Sequence, residues 1–162
     1  MAGPLTTGER LARLEARAEI TDLVARYAHG ADHKNDPAIL GPLFAPDGVW
    51  TAEGFGDLRG REAIAAGLAE IAASRILWSI HYMVSPHVVL GDDAATARCH
   101  WYLWELCTVA EESGPTDSWF GGWYNSELAL TDEGWRFTRV ELEVRLQGEA
   151  MPPWTLKKAI PA

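Results

Sequence analysis

Residues 76–110 read ILWSIHYMVSPHVVLGDDAATARCHWYLWELCTVA. Two runs dense in aromatic and β-branched residues, 76–90 and 96–110, flank the turn pair Gly91-Asp92, so they read as long antiparallel strands joined by a short connection. Pro86 cannot donate to a ladder, which predicts a bulge or bend near Ser85-Pro86. Two similar runs follow at 118–130 and 135–146, separated by the turn clusters Glu112-Ser113-Gly114-Pro115 and Asp132-Glu133-Gly134. Four long strands therefore occupy the second half of the chain.

The first half is patterned differently. Thr6 and Glu9 have capping-box spacing, and Ile20, Leu23, Val24, Tyr27, Ala28 and Ala31 then follow a helical period, with Gly30 weakening the end of the helix. Asp36-Pro37 restarts a short helix whose buried side is Ile39, Leu40, Leu43 and Phe44, and Asp47-Gly48 turns the chain. A first strand is expected over 49–53, Gly54 and Gly56 break it, and a third helix over 61–73 carries Ile64, Leu68 and Ile71. Helices grouped ahead of a strand meander define an α+β layout, with three helices packed on one face of a curved, mostly antiparallel sheet that encloses a pocket. The expected division is one domain over 1–148 and a C-terminal tail over 149–162, where Pro152, Pro153 and Pro161 cluster.

Composition narrows the partners. A chain of 162 residues suits one domain, and a formal charge of −9 removes the phosphate attraction that drives nucleic-acid binding. Neither a spanning apolar run nor a secretory layout is present in the sequence, so no membrane partner and a cytoplasmic address are expected. Cys99 and Cys107 lie eight positions apart on one expected strand, hence ~26 Å apart, and read as free thiols. Neither is marked as an activated nucleophile. The glycines of 54–60 have the wrong spacing for a dinucleotide loop, and no clustered Cys/His spacing suggests a metal. No cofactor is expected.

Eight tryptophans must be placed, and they serve either as core or as an aromatic lining for an apolar substrate. Trp50, Trp78, Trp104 and Trp123 are the candidates for that lining. Strand alternation sets Ser79, His81 and Met83 opposite Trp78, Ile80 and Tyr82. On the next strand it sets Cys99, Trp101, Leu103 and Glu105 opposite His100, Tyr102, Trp104 and Leu106, so Glu105 and His100 are alternative pocket residues. Alternation alone leaves both open, with Asn125 on the next strand as a further polar candidate. A histidine such as His81 needs a partner to act in catalysis, and Asp32, just past the apolar stripe of the first helix, is the best placed carboxylate. Tyr27 and Asp32 stand ~140° apart on an ideal helix, so both reach one pocket only if the helix loosens near Gly30.

Several segments together resemble the SnoaL-like branch of the NTF2-like superfamily: Arg17 to Leu23, Tyr27 with Asp32, Leu43 to Trp50, Gly56 to Gly60, Ile80-His81-Tyr82 and Gly91-Asp92. The resemblance covers nearly the whole chain and is strongest to scytalone dehydratase, bile acid 7α-dehydratase and hexachlorocyclohexane dehydrochlorinase. It implies a cone-shaped, cystatin-like fold, an acid/base pair of His81 and Asp32, and Tyr27 as a hydrogen-bond donor to a developing oxyanion or leaving hydroxyl. The dehydrochlorinase arginine has no counterpart around residues 130–132. The implied activity is a cofactor-independent lyase, most simply a dehydratase of a hydrophobic hydroxylated ring compound, steroid-, polyketide- or aromatic-like, with formaldehyde release as a variant. An isomerase or polyketide cyclase using the same pair, or a non-catalytic small-molecule-binding protein, are the alternatives. A homo-oligomer, trimer or dimer, is implied by the resemblance alone.

Overall fold

The computed structural model describes residues 4–151. Helix α1, Thr7–Asp32, starts at the Thr6 capping box, with Thr6 and Glu9 satisfying each other's backbone donors. Helix α2, Pro37–Leu40, is capped by Asp36 and runs into a 3-10 turn over Gly41–Leu43. Strands β1, Phe44–Ala52, and β2, Gly56–Arg59, precede helix α3, Arg61–Arg75. Strands β3, Ile76–Leu90, β4, Thr96–Glu111, β5, Gly114–Thr131, and β6, Gly134–Glu149, complete the fold. The last strand runs one residue past the expected domain boundary, and the expected tail lies outside the described residues from 152 onward.

The six strands form one sheet in the order β2-β1-β6-β5-β4-β3. β1 pairs with β6 in parallel, and all other pairs are antiparallel. Two expectations are corrected here. Phe44 opens a strand and is not helical, because the 3-10 turn ends the helical stretch at Leu43. Asp47-Gly48 does not reverse the chain but sits in the irregular stretch of β1, where the register against β6 shifts. The bulge expected near Pro86 is present: the β3–β4 register shifts between Val84 and His87, and Ser85 takes a left-handed φ of 56°.

Gly30 has a packing role and does not end the helix. α1 continues to Asp32, and a Cβ on Gly30 would stand 2.6 Å from the Leu40 side chain, so the glycine lets α2 close on α1. The centre of the fold is aromatic. Tyr27 makes edge contacts with Phe44, Trp101, Tyr124 and Phe137, and Trp101 stacks on Tyr124 with centroids 5.0 Å apart. Trp101 and Trp135 are therefore core, whereas Trp104 and Trp119 stack on each other on the opposite face of the sheet. No helix among the described residues is long and apolar enough to cross a membrane.

The β5–β6 register shifts twice, at Gly121-Gly122 and at Glu127-Leu128, and such irregularities bend a sheet. A Cβ on Gly122 would lie 2.0 Å from the backbone oxygen of Glu143, which has nowhere to move within the ladder. Gly122→Ala is expected to destabilise the protein by about 3 kcal/mol, the upper part of the range for overpacking, as read from urea denaturation midpoints.

Candidate active site

β3 is an edge strand, so one row of its backbone groups has no strand partner. α1 and the turn after it cover that row with side chains. Arg13 and Arg17 donate to the carbonyls of Gly91 and Val88, and the Lys34 ammonium donates to those of Ile76 and Leu77. Asp32 accepts the backbone N–H of His81 at 2.8 Å. The same Oδ1 atom lies 2.8 Å from His81 Nδ1, so the carboxylate holds both the backbone and the ring of one residue. Because a carboxylate only accepts, Nδ1 carries the proton and Nε2 is left as the reactive nitrogen.

Asp32 occupies the last turn of α1, where the helix dipole disfavours negative charge. Its two N–H donors offset that cost. The expected loosening of α1 near Gly30 is absent, and it is not needed: Asp32 points to the β3 edge, and only Tyr27 faces the cavity directly. The two residues meet at the site through His81.

His81 pairs with Glu105 across the β3–β4 ladder. Since the His81 N–H turns toward α1, this is a non-hydrogen-bonded pair, the kind whose side chains stand closest. His81 Nε2 lies 3.5 Å from Glu105 Oε2, with the two side chains 11% and 14% exposed. The imidazole is thus set between two carboxylates, one at each ring nitrogen. Burial pushes the Glu105 carboxyl above the usual carboxylate range; His81 and a hydrogen bond with Cys107 oppose the rise, and Asp32 adds to it. Cys107 is pushed up to about 12 by burial and then by Glu105, which leaves an inert thiol. The two cysteines form no disulfide with each other, as expected, and both are buried.

The cavity is lined by apolar side chains from every layer, among them Phe55, Leu68, Ile71, Phe120 and Val144, with Tyr27, Trp50, Tyr124, Ser79, His81 and Glu105 supplying the polar groups. Its volume is about 70 Å³. That is less than the ~150 Å³ that accommodates a benzene ring, so the cavity encloses only a small part of any ring-sized molecule. Trp50 Nε1 donates to the Tyr27 hydroxyl at 2.8 Å. Burial holds Tyr27 far above the ordinary tyrosine range despite hydrogen bonds with Trp50 and Tyr124, so the phenol stays protonated.

Of the residues expected at the site, the fold gathers His81, Asp32, Tyr27, Glu105 and Trp50. It does not bring His100, Asn125, Trp78, Trp104 or Trp123 to this cavity. His100 and Asn125 bond each other at 2.9 Å on the outer face, where Asn125 also donates to Glu143. Trp123 lies there beneath Arg145, and Trp104 stacks on Trp119. The even-numbered positions of β4 all face outward because β4 pairs with β5 without a register shift. Tyr124, Phe120, Ser79 and Lys34 were not anticipated. Tyr124 and Phe120 face inward because they pair with Trp101 and Glu105 in the unshifted β4–β5 ladder, a register that sequence alone does not show, and Ser79 was legible from its alternation with His81.

Three helices packed on a curved six-stranded sheet, with a histidine held between a carboxylate at the strand edge and a carboxyl group in the wall of an apolar cavity, define an α+β pocket fold. The chain belongs to the SnoaL-like domain family, whose profile matches residues 12–141. The fold is shared with a type 2 hexachlorocyclohexane dehydrochlorinase (21% identity, TM-score 0.83, covering 93% of this chain and 99% of that one). It is shared with a scytalone dehydratase candidate from Novosphingobium aromaticivorans (19% identity, TM-score 0.73, 93% and 95% covered). An NTF2-like superfamily protein from Salmonella enterica serovar Typhimurium also has it (18% identity, TM-score 0.71, 82% and 92% covered). No match is found among the curated proteins.

The Glu105 environment has a measurable consequence. A carboxyl whose pKa is raised by folding contributes stability below its unfolded value, near 4.5, and loses it as pH rises through the folded value. Glu105→Gln removes that burden, so the variant is expected to gain on the wild type in denaturation midpoint as pH goes from 4 toward 8. A gap that stays constant across that range would show that Glu105 is not raised.

Proposed function

We propose that the protein is a cofactor-independent lyase, most simply a dehydratase, acting on a hydrophobic hydroxylated ring compound. The observation that carries this reading is His81, with Nδ1 fixed by Asp32 and Nε2 facing a buried Glu105 in an apolar cavity. His81 Nε2 removes a proton from carbon next to a carbonyl or aromatic system, and that electron pair forms the new double bond as the neighbouring C–O bond breaks. Protonated Glu105 gives its proton to the departing hydroxyl, which leaves as water. The imidazolium and Glu105 carboxylate that result stand 3.5 Å apart, and transfer of one proton between them restores the starting state. Asp32 stabilises the imidazolium in the interval, and the Tyr27 hydroxyl offers its proton to the developing oxyanion.

The small cavity supports entry of the reacting carbon–oxygen portion of the substrate, with its rings at the mouth, over a steroid nucleus held wholly inside. Among the described residues its lining has no arginine, which favours loss of water over loss of chloride. The same base would serve an isomerase, a cyclase or a formaldehyde-releasing lyase if the proton or the broken bond differed. A binding protein without chemistry would have no use for a histidine oriented at both nitrogens. Self-association belongs to the same reading: Ile80, Tyr82, Val84, Tyr102, Trp104 and Leu146 are exposed on the outer part of the sheet, an apolar surface suited to a second copy of the chain.

Incubation with hydroxylated aryl ketones, polyketides and steroids, followed by mass spectrometry, tests the reaction. A product lighter by one water is expected, with His81→Ala, Asp32→Asn and Glu105→Gln each lowering turnover by about 10²–10⁴-fold. A product of unchanged mass would establish an isomerase or cyclase, and turnover that survives all three substitutions would end the acid/base assignment.

A further inference from the structure

Helix α1 is followed by two consecutive non-glycine residues in the left-handed region, Lys34 at φ 60° and Asn35 at φ 52°. Such a conformation is rare for a lysine and requires surrounding contacts to hold it. Those contacts are present: Lys34 Nζ donates to the carbonyls of Ile76 and Leu77, and Asn35 Nδ2 donates to the carbonyl of Leu68 on α3 at 2.9 Å. The turn is thereby fastened to both β3 and α3, and it brings the ammonium to the wall of the cavity, where Lys34 and Asn35 are both lining residues. Lys34 is exposed, so this wall is the mouth.

Lys34 is the one cationic side chain among the described residues of the lining. None of the ion pairs among the described residues involves it, and the two carbonyls leave one of its three N–H groups uncommitted. Arg75, the neighbouring cation, is turned over the Phe55 ring at 5.3 Å and is not part of the lining. Behind Lys34 the cavity wall is largely apolar, with Glu105 as its one carboxyl group among the described residues, and the chain has a net charge of −9. An anionic group is disfavoured in the apolar depth of the cavity and attracted at this single point on its rim. A cavity of about 70 Å³ also leaves most of a ring substrate at the rim.

We propose that Lys34 anchors the carboxylate of an apolar ring acid at the cavity mouth, fixing which end of the molecule enters toward His81. The proposal deepens the substrate class of the lyase reading and rests on the cavity being the substrate site. Recognition is by charge and one hydrogen bond, so the anchor discriminates an acid from its neutral isostere and weakens with added salt.

The test is calorimetric titration of 3-phenylpropionate and of 3-phenylpropionamide into the wild-type protein, Lys34→Met, Lys34→Arg and His81→Ala. The wild type is expected to bind the carboxylate about 3- to 10-fold more tightly than the amide, the range for a partly exposed charge pair. Lys34→Met is expected to abolish the preference, Lys34→Arg to keep it, and added salt to reduce it in the wild type. His81→Ala is expected to retain the preference, which separates failure of the anchor from failure of the acid/base reading. Equal binding of the two ligands, binding of neither, or a preference that persists in Lys34→Met would overturn the proposal. Should Lys34→Met fail to fold, the acid-to-amide comparison and its salt dependence in the wild type decide the question alone.

Discussion

An edge strand is a liability, because its unpaired backbone groups invite pairing with other chains. Here the edge is β3, and the protein closes it with α1 through side chains and not with another strand. Arg13, Arg17, Asp32 and Lys34 each take one or two backbone groups of β3, at intervals along the helix and the turn that follows it. Much of the remaining structure depends on that arrangement. It sets the position of α1 across the sheet, places Tyr27 over the aromatic core, and brings a carboxylate to the backbone of His81. The residue that covers the edge at His81 is also the one that fixes its imidazole, so closure of the fold and orientation of the base are a single interaction.

The two carboxyl groups on either side of His81 differ in kind. Asp32 is 32% exposed and accepts two N–H bonds from His81, one from the backbone and one from the ring. Glu105 stands in the cavity wall beside Cys107, and desolvation pushes its carboxyl above the usual carboxylate range. One carboxyl group thus positions the imidazole from the strand edge, and the other faces it from inside the cavity.

Legibility in the sequence follows a physical line. Periodicity and turn chemistry are local, and where they govern, the reading held: the Thr6–Glu9 cap, the bounds of β3, the bend at Ser85-Pro86, the outward face of His100 once Glu105 is placed inward. Features set by distant packing were not legible. β2 is four residues long and polar, the parallel pairing of β1 with β6 has no local signal, and the start of β1 was hidden by a helix-like apolar run through Phe44. At the site, alternation left Glu105 and His100 as alternatives, and Asp32 came from its place after the apolar stripe of α1 together with a family resemblance. The helical-wheel argument failed for Asp32 because it assumed a side chain aimed at the cavity, when the carboxylate reaches the strand edge. Four tryptophans were assigned to the pocket on composition; only Trp50 is there, because a sheet has two faces and indoles also cover the outer one.

Tyr27 touches four aromatic rings of the core and also forms part of the cavity wall. Core packing and cavity wall are therefore vested in one side chain, and a change that reshapes the cavity floor must also repack the centre of the protein. The rim has no such obligation: Phe55, Ile71, Phe120 and Val144 are only partly buried. Redesign of this scaffold therefore has wide latitude at the entrance and very little at the base.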